Sequence, residues 1–351
     1  MWIRMAQEIG HFLPTRNFQA GEFNKYENIT SETMCKELKW TSRGCYGCSV
    51  IRCSKFSKWN DKEMEGPEYE TTTLLGSGCE IGYAKDVATA NRLCDRYGLD
   101  TISTGVTISF AMECTEKGLL PREDNERIIF GSAEAVHSLI EEIVLRKGIG
   151  NILAEGTRQA SQKIGKGSEY FAIQTSGMEL SGVNPLGCYS MGLALVTSDF
   201  ASHTRLWTAT DEMTDLTLDE LPSYIKEGQD EINVRNSLIM CDFLPYGLDR
   251  LVRFLNAATG LDYTREEVME AGERIQTLSR LYNLRTGRTH ADDTLPPRFY
   301  EETSFAGLMR GKRISRKFFE QQVQDLFALR GWDSEGRPTK ETIKNLGIDI
   351  G

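Results

Sequence analysis

The sequence has no excess of basic residues: 41 Lys+Arg stand against 51 Asp+Glu, a formal charge of −10. Coating nucleic acid needs clustered cations that displace counterions from phosphate, so that class of partner is excluded. Nowhere does an apolar run approach the roughly 20 residues of a membrane-spanning helix, which excludes a membrane role of that kind. The first thirty residues lack a basic start followed by an apolar block, so no secretory signal is read there and the cytoplasm is the expected location. No internal repeat, heptad run or low-complexity tract occurs. Histidine is scarce, and none of His11, His137, His203 and His290 lies in a close His or Cys pair.

What the sequence does hold is ordinary globular material: 40% hydrophobic and 26% charged residues, which excludes disorder as the main state. A chain of 351 residues allows two domains or one large one. Its unusual number is nine cysteines. An odd count without a signal argues against a secreted disulfide framework. Three of the nine crowd into Gly44-Cys45-Tyr46-Gly47-Cys48-Ser49-Val50-Ile51-Arg52-Cys53, a Cys-x2-Cys-x4-Cys loop. Such a loop can wrap three thiolates around an iron–sulfur cubane and leave the fourth ligand to come from afar. Structural zinc is the rival, though it usually brings a second close Cys or His pair. The spacing alone leaves cluster, zinc and no metal open. The other six cysteines suit buried small hydrophobes.

Along the chain, residues 1–66 read as turn-rich and irregular. Helical spacing then governs 85–97, stopped by Gly98, followed by 104–117 before Gly118 and 133–147 before Gly148. A short strand is expected at 170–174. Residues 249–258 are amphipathic and close at Gly260, and Thr264 with Glu267 forms a capping box ahead of 268–284. The last helix is expected at 315–329. With few strand signals, the fold class is mainly α, divided near 165–170 into helical domains at 1–168 and 169–351.

Several separated motifs then agree. Leu13-Pro14-Thr15-Arg16-Asn17-Phe18 precedes the cysteine loop, and Gly66-Pro67-Glu68-Tyr69-Glu70-Thr71 follows it. Leu75-Gly76-Ser77-Gly78-Cys79 and Asp95-Arg96-Tyr97-Gly98-Leu99-Asp100 come next, with Asp292-Asp293-Thr294-Leu295-Pro296 and Arg330-Gly331-Trp332-Asp333 near the end. In this order they resemble the tungsten-containing aldehyde ferredoxin oxidoreductase family, over its second and third, mostly helical domains.

The resemblance implies a 4Fe–4S cluster beside tungsten, or molybdenum, held by two pterins. Cys45, Cys48 and Cys53 match the family's cluster loop, with four residues in the second gap where the family has three, and Cys241 matches its distant fourth ligand. Pterins are bound in the family by Asp-x-x-Gly-Leu-(Asp/Cys) segments. Asp95, Gly98, Leu99 and Asp100 fit the first, where a carboxylate can accept the pterin's N–H donors. In the second, Asn236 replaces the expected Asp and Ile239-Met240 replace Gly-Leu. Without the family, Asp95 and Asp100 read as caps of a helix terminus. Glu70 and His203 match the family's carboxylate and imidazole next to the metal. The former is a candidate general base and the latter a hydrogen-bond donor to a developing oxyanion.

Departures accompany the match. Val183-Asn184-Pro185-Leu186 stands where many relatives carry Tyr-Asp-Pro-Arg, near the substrate pocket in the family. Glu134 and His137 make a Glu-x-x-His helical pair that reads as a solvated helix edge. The family's N-terminal β domain, which completes the pterin site, has no counterpart before Met1, so a partner chain is expected to supply it unless the sequence is partial. The implied activity is oxidation of aldehydes to carboxylic acids, with electrons leaving through the cluster to ferredoxin or a similar carrier. Homodimerisation is compatible with it. The alternatives are an aromatic acyl-CoA reductase and a non-catalytic iron–sulfur electron-transfer subunit.

Overall fold

A computed structural model describes residues 2–48, 52–59, 62–214 and 216–349. Packing divides the chain into two units: Met1–Gly192 with Leu295–Ile314, and Leu193–Thr294 with Ser315–Gly351. The boundary expected near 165–170 falls inside the first unit. Residues 169–192 return to that unit's core, where the Asn184 amide donates to the carbonyls of Phe18 (3.0 Å) and Ala20 (3.2 Å). The architecture is mainly α, as the periodicity requires, with five short strands among the described residues.

In unit 1 the stretch expected to be irregular contains a helix and a sheet. Helix α1 (Ser31–Leu38) starts at Thr30, whose side chain accepts the Thr33 N–H. Strands β1 (Thr41–Arg43), β2 (Ser54–Trp59) and β3 (Lys62–Glu65) form an antiparallel sheet in that order. These strands are short and mostly polar, and so gave no alternating signal. Helix α2 (Ala84–Tyr97) ends where Gly98 takes φ +70°. The Leu99 N–H reaches the Cys94 carbonyl and the Gly98 N–H that of Asp95, a Schellman closure. Helix α3 (Thr101–Glu116) begins three residues earlier than its periodicity suggested, because Asp100 caps it through the Ser103 N–H at 2.7 Å. Helix α4 (Ala133–Leu145) packs on α2 and stops at Arg146, in the left-handed region, before reaching Gly148. The strand expected at 170–174 is instead a 3-10 turn, Ser168–Phe171, followed by Gln174–Thr175 paired with Met178–Glu179.

Two separated motifs meet in this unit's core. Arg16 and Asn17 donate their backbone N–H groups to the carbonyls of Ser77 and Gly78, and the Ser77 hydroxyl donates to the Pro14 carbonyl. Arg16, Asn17 and Phe18 all have positive φ (48°, 50°, 63°), a conformation costing an L-residue roughly 1–2 kcal/mol each. Buried polar bonds hold it: the Asn17 amide donates to Glu113 at 2.7 Å and to the Phe171 carbonyl at 2.9 Å, while Arg298 donates to the Asn17 carbonyl at 2.6 Å.

Helix α5 (Tyr189–Thr197) spans the join in sequence. Unit 2 adds α6 (Leu221–Ser237), α7 (Leu248–Thr259), α8 (Arg265–Arg285) and α9 (Arg316–Leu329). Thr264 and Glu267 form the expected capping box, and Ser315 caps α9. Val234, Leu248, Val252 and Val268 make a common apolar cluster. Helices α6 and α8 cross at Gly272, where a Cβ would lie 2.2 Å from the Asp230 carbonyl oxygen, so only glycine permits that approach. Periodicity does not mark α6, whose apolar residues are interrupted by Gln229, Asp230 and Asn233, all buried by hydrogen bonding rather than by apolarity.

Candidate cofactor and catalytic site

In unit 1, the cysteine loop leaves β1 and enters β2. Within it the Cys48 N–H returns to the Cys45 carbonyl at 2.9 Å, and the Cys45 thiol lies 3.6 Å from the Ser54 hydroxyl. Cys45 is exposed, while Cys48 and Cys53 are half-buried. Ser49, Val50 and Ile51, between the second and third thiols, lie outside the described residues. Among the described residues no three His, Cys, Asp or Glu side chains stand together as a metal site. The donor chemistry nevertheless suits a cluster: three accessible thiols on one turn-forming loop, with no competing carboxylate or imidazole inside it. Cys79, Cys94, Cys114 and Cys188 are buried. Burial pushes the Cys94 and Cys114 thiols up to about 12, so these four pack as small hydrophobes. Cys35 is exposed, contrary to that expectation, as is Cys241.

The Asp95–Asp100 segment is the connection between α2 and α3. Asp95, Gly98 and Asp100 are exposed and Leu99 is half-buried, so the turn is a surface feature with its carboxylates accessible. Desolvation and the neighbouring Glu65 raise the Asp95 carboxyl, and the Asn91 amide donates to it at 3.1 Å. One Asp100 oxygen is committed to the α3 cap.

Glu70 lies in the short helix Tyr69–Thr71, which runs directly into a π-helical turn, Thr72–Gly76. Its Oε2 accepts the Gly182 N–H at 2.6 Å, and the Tyr69 hydroxyl donates to the Gly182 carbonyl at 2.8 Å. Adjacent side chains thus grip both backbone groups of one glycine. Sequence reasoning found Glu70 but not Gly182, which carries no side-chain signal of its own. Beyond it, Asn184 is fully buried and spends its amide on backbone groups. The 183–186 segment carries no ionisable side chain. The His137 Nε2–H donates to the Asp86 carbonyl (3.0 Å), so His137 ties α4 to α2 and is more than part of a solvated edge.

In unit 2, His203 opens a 3-10 turn, His203–Arg205, capped by Ser202. It is half-buried and meets the Trp207 ring edge-on, with centroids 6.3 Å apart. Asn236 is exposed near the end of α6, and its carbonyl accepts the Leu238 and Ile239 N–H groups. Ile239 takes φ +54° and is 94% exposed, and exposed Cys241 follows it. Desolvation raises the neighbouring Asp242 carboxyl, against the charges of Arg235, His203 and Arg205. The imidazole turn and the Cys241 segment therefore share one electrostatic neighbourhood within this unit, a relationship that their separation in sequence concealed.

The mainly helical fold thus carries a three-thiol loop and a carboxylate fixed on a backbone N–H. The chain belongs to the aldehyde ferredoxin oxidoreductase family: residues 1–348 match that family's domains 2 and 3. It is 34% identical to a tungsten-containing aldehyde ferredoxin oxidoreductase of Pyrococcus horikoshii, over 96% of this chain and 57% of the relative. It is 29% identical to an aliphatic sulfonate oxidoreductase, WOR-like subunit, of Pyrococcus furiosus, over 95% of this chain and 55% of that one. The chain thus spans little more than half the length of these relatives. Among solved structures, the active-site complex BamBC of benzoyl coenzyme A reductase shares the fold. Its TM-score is 0.78 at 20% identity, covering 97% of this chain and 58% of that one. No helix among the described residues is long and apolar enough to cross a membrane.

Proposed function

We propose that the chain forms the cluster-bearing and pterin-facing part of an enzyme that oxidises aldehydes to carboxylic acids and passes the electrons to a ferredoxin-like carrier. Cys45, Cys48, Cys53 and Cys241 are its cluster ligands. Asp95, Gly98, Leu99 and Asp100 bind one pterin, and Asn236 contributes a neutral acceptor to the second. When bound, tungsten or molybdenum would accept an electron pair and the cluster would release electrons singly.

The observation that carries this reading is the pose of Glu70. A carboxylate with one oxygen fixed by the Gly182 N–H is oriented, and an oriented carboxylate can remove the proton of a water attacking a carbonyl carbon. His203 donates a hydrogen bond to the oxygen on which negative charge develops. The remaining pterin contacts come from a further domain, carried by a partner chain or by an extension of this one.

Reduction of an aromatic acyl thioester is the second reading, favoured by the neutral 183–186 segment, whose buried Asn184 offers a substrate no charge. Anaerobic co-expression with a chain carrying that further domain, followed by metal analysis and dye-linked assays, tests both. Tungsten and aldehyde-dependent dye reduction are the expected result. Thioester turnover with no aldehyde activity would transfer the assignment to the second reading. Iron and sulfide without tungsten would leave an electron-transfer subunit.

A further inference from the structure

Helix α5 ends at Thr197 without a glycine, and its last carbonyls need other donors. Arg288 supplies them. Its Nη2 donates to the Val196 carbonyl at 2.8 Å, and its Nη1 to those of Ser198 (2.8 Å) and Asp199 (3.0 Å). The Asn283 amide donates to the same Asp199 carbonyl at 2.6 Å. A cation is also the favoured charge at a helix C-terminus.

The guanidinium is itself held. Asp293, whose side chain is wholly buried, accepts Arg288 Nε at 3.1 Å and Nη2 at 2.7 Å. It also accepts both terminal nitrogens of Arg280, at 2.9 and 2.7 Å. Arg280 alone satisfies that carboxylate in bidentate fashion, so a purely structural ion pair has no need of Arg288. What Arg288 adds is its other edge, aimed at three consecutive-turn carbonyls through the planar fork that arginine provides and lysine does not.

Those carbonyls begin the turn that bears His203. The Asp199 side chain closes the turn's far end, accepting Arg205 Nη2 at 2.7 Å, two residues beyond His203. Between the two anchors, the Thr204 N–H donates to the Ser202 hydroxyl and the Arg205 N–H to the Ser202 carbonyl. The imidazole therefore stands on a short turn clamped at its entry by Arg288 and Asn283 and at its exit by Arg205.

We propose that Arg288 is a positioning residue that fixes the orientation of the His203 imidazole, an inference whose catalytic consequence rests on the role proposed above for His203. With four histidines in the chain, the ring nitrogens of uniformly 15N-labelled full-length protein give a short and assignable spectrum, with His203→Gln identifying the signal. His11 and His137 serve as controls. His290 shares Asp293 with Arg288 and is expected to move in any case. In Arg288→Met the His203 signals should shift and broaden or split, Arg288→Lys should restore them only in part, and the controls should stay in place. Asn283→Ala, which removes one donor from the same carbonyl, should give a smaller change of the same kind and decides the matter if Arg288→Met fails to fold. Unchanged His203 signals in the folded variants, whatever their stability, would overturn the proposal. In the assembled enzyme, Arg288→Met should lower kcat by about 10- to 10²-fold with little change in KM. If His203→Gln leaves the rate intact while Arg288→Met still disturbs the His203 signals, the proposed role of His203 fails and its positioning by Arg288 stands.

Discussion

The carboxylate of Glu70 accepts the backbone N–H of Gly182 at 2.6 Å, across 112 residues of sequence. A Cβ on Gly182 would come within 2.5 Å of the Thr73 hydroxyl and 2.9 Å of the Glu70 carboxylate. Gly182→Ala is therefore expected to lose about 1–3 kcal/mol in denaturant unfolding, as overpacking does. Gly118→Ala, where φ is +64° but nothing lies within 4 Å of the added methyl, should lose only about 1 kcal/mol. Equal losses would mean that Glu70 yields to the methyl and is not firmly posed.

Glu70→Gln keeps the shape and the bond to Gly182 but removes basicity. In the assembled enzyme its rate per tungsten should fall by roughly 10²–10⁴-fold at unchanged metal content. A full rate at full tungsten would remove Glu70 from the chemistry.

Glu113 and Arg298 are both almost completely buried and bonded to each other, and Asn17 bonds to both. Glu113→Gln removes the buried one of the two carboxylates paired with Arg298, leaving only Glu302 at 3.1 Å, and should cost about 3 kcal/mol, the low end for breaking a buried pair. The double variant Glu113→Gln/Arg298→Met should recover part of that loss. Equilibrium unfolding of the native protein, Glu113→Gln, Arg298→Met and the double variant forms the cycle that measures their coupling.

His290 is raised to about 9 by its hydrogen bond to Asp293, against desolvation, with a further contribution from Glu320. A raised pKa means that the protonated ring stabilises the fold. That contribution is complete below the unfolded value near 6.5 and is lost as pH rises through about 9. It is on the order of 3 kcal/mol. Unfolding free energy measured from pH 6 to 10 should decline in the native sequence, and His290→Gln should flatten that part of the profile.

Cysteine accessibility separates the candidate ligands from the core thiols. In native protein free of metal, a neutral alkylating reagent followed by mass spectrometry should modify Cys35, Cys45 and Cys241 quickly and spare Cys79, Cys94, Cys114 and Cys188. Anaerobic reconstitution with iron and sulfide should then protect Cys45 and Cys241 but not Cys35. Cys48→Ala should lose most of the bound iron, and Cys114→Ala should keep it. Protection of Cys35 along with the others would point to occlusion rather than ligation.

The sequence disclosed what depends on local pattern. The helix around 85–97, the Gly98 stop and the Thr264–Glu267 box all follow from spacing and capping chemistry, and all are present. Helix α6 was missed because Gln229, Asp230 and Asn233 occupy buried positions that the pattern assigns to apolar residues, each satisfied by a partner distant in sequence. The sheet was missed because β1 is exposed throughout and its strands lack a repeated apolar face. At the site, Glu70 and His203 came from motif resemblance. Their supports, Gly182 and Arg288, act through backbone groups far away in sequence, and no local pattern marks such a role. Asp100 was legible as a helix cap, which one of its oxygens forms.

Each unit is made from two stretches of chain, since 295–314 belongs with the first unit after a hundred residues of the second have intervened. On the ribosome, the first unit cannot close when residue 192 emerges, because Glu113 still lacks Arg298 and the carbonyl of Asn17 still lacks its donor. Synthesis must pass residue 298, and the exit tunnel must be cleared, before that pocket of charge is neutralised. The second unit in turn waits for Arg330, which completes the pairing of buried Asp230 that Lys226 begins. Neither can be excised at a single cut, and a chaperone attending the nascent protein would meet both halves unfinished almost until translation ends.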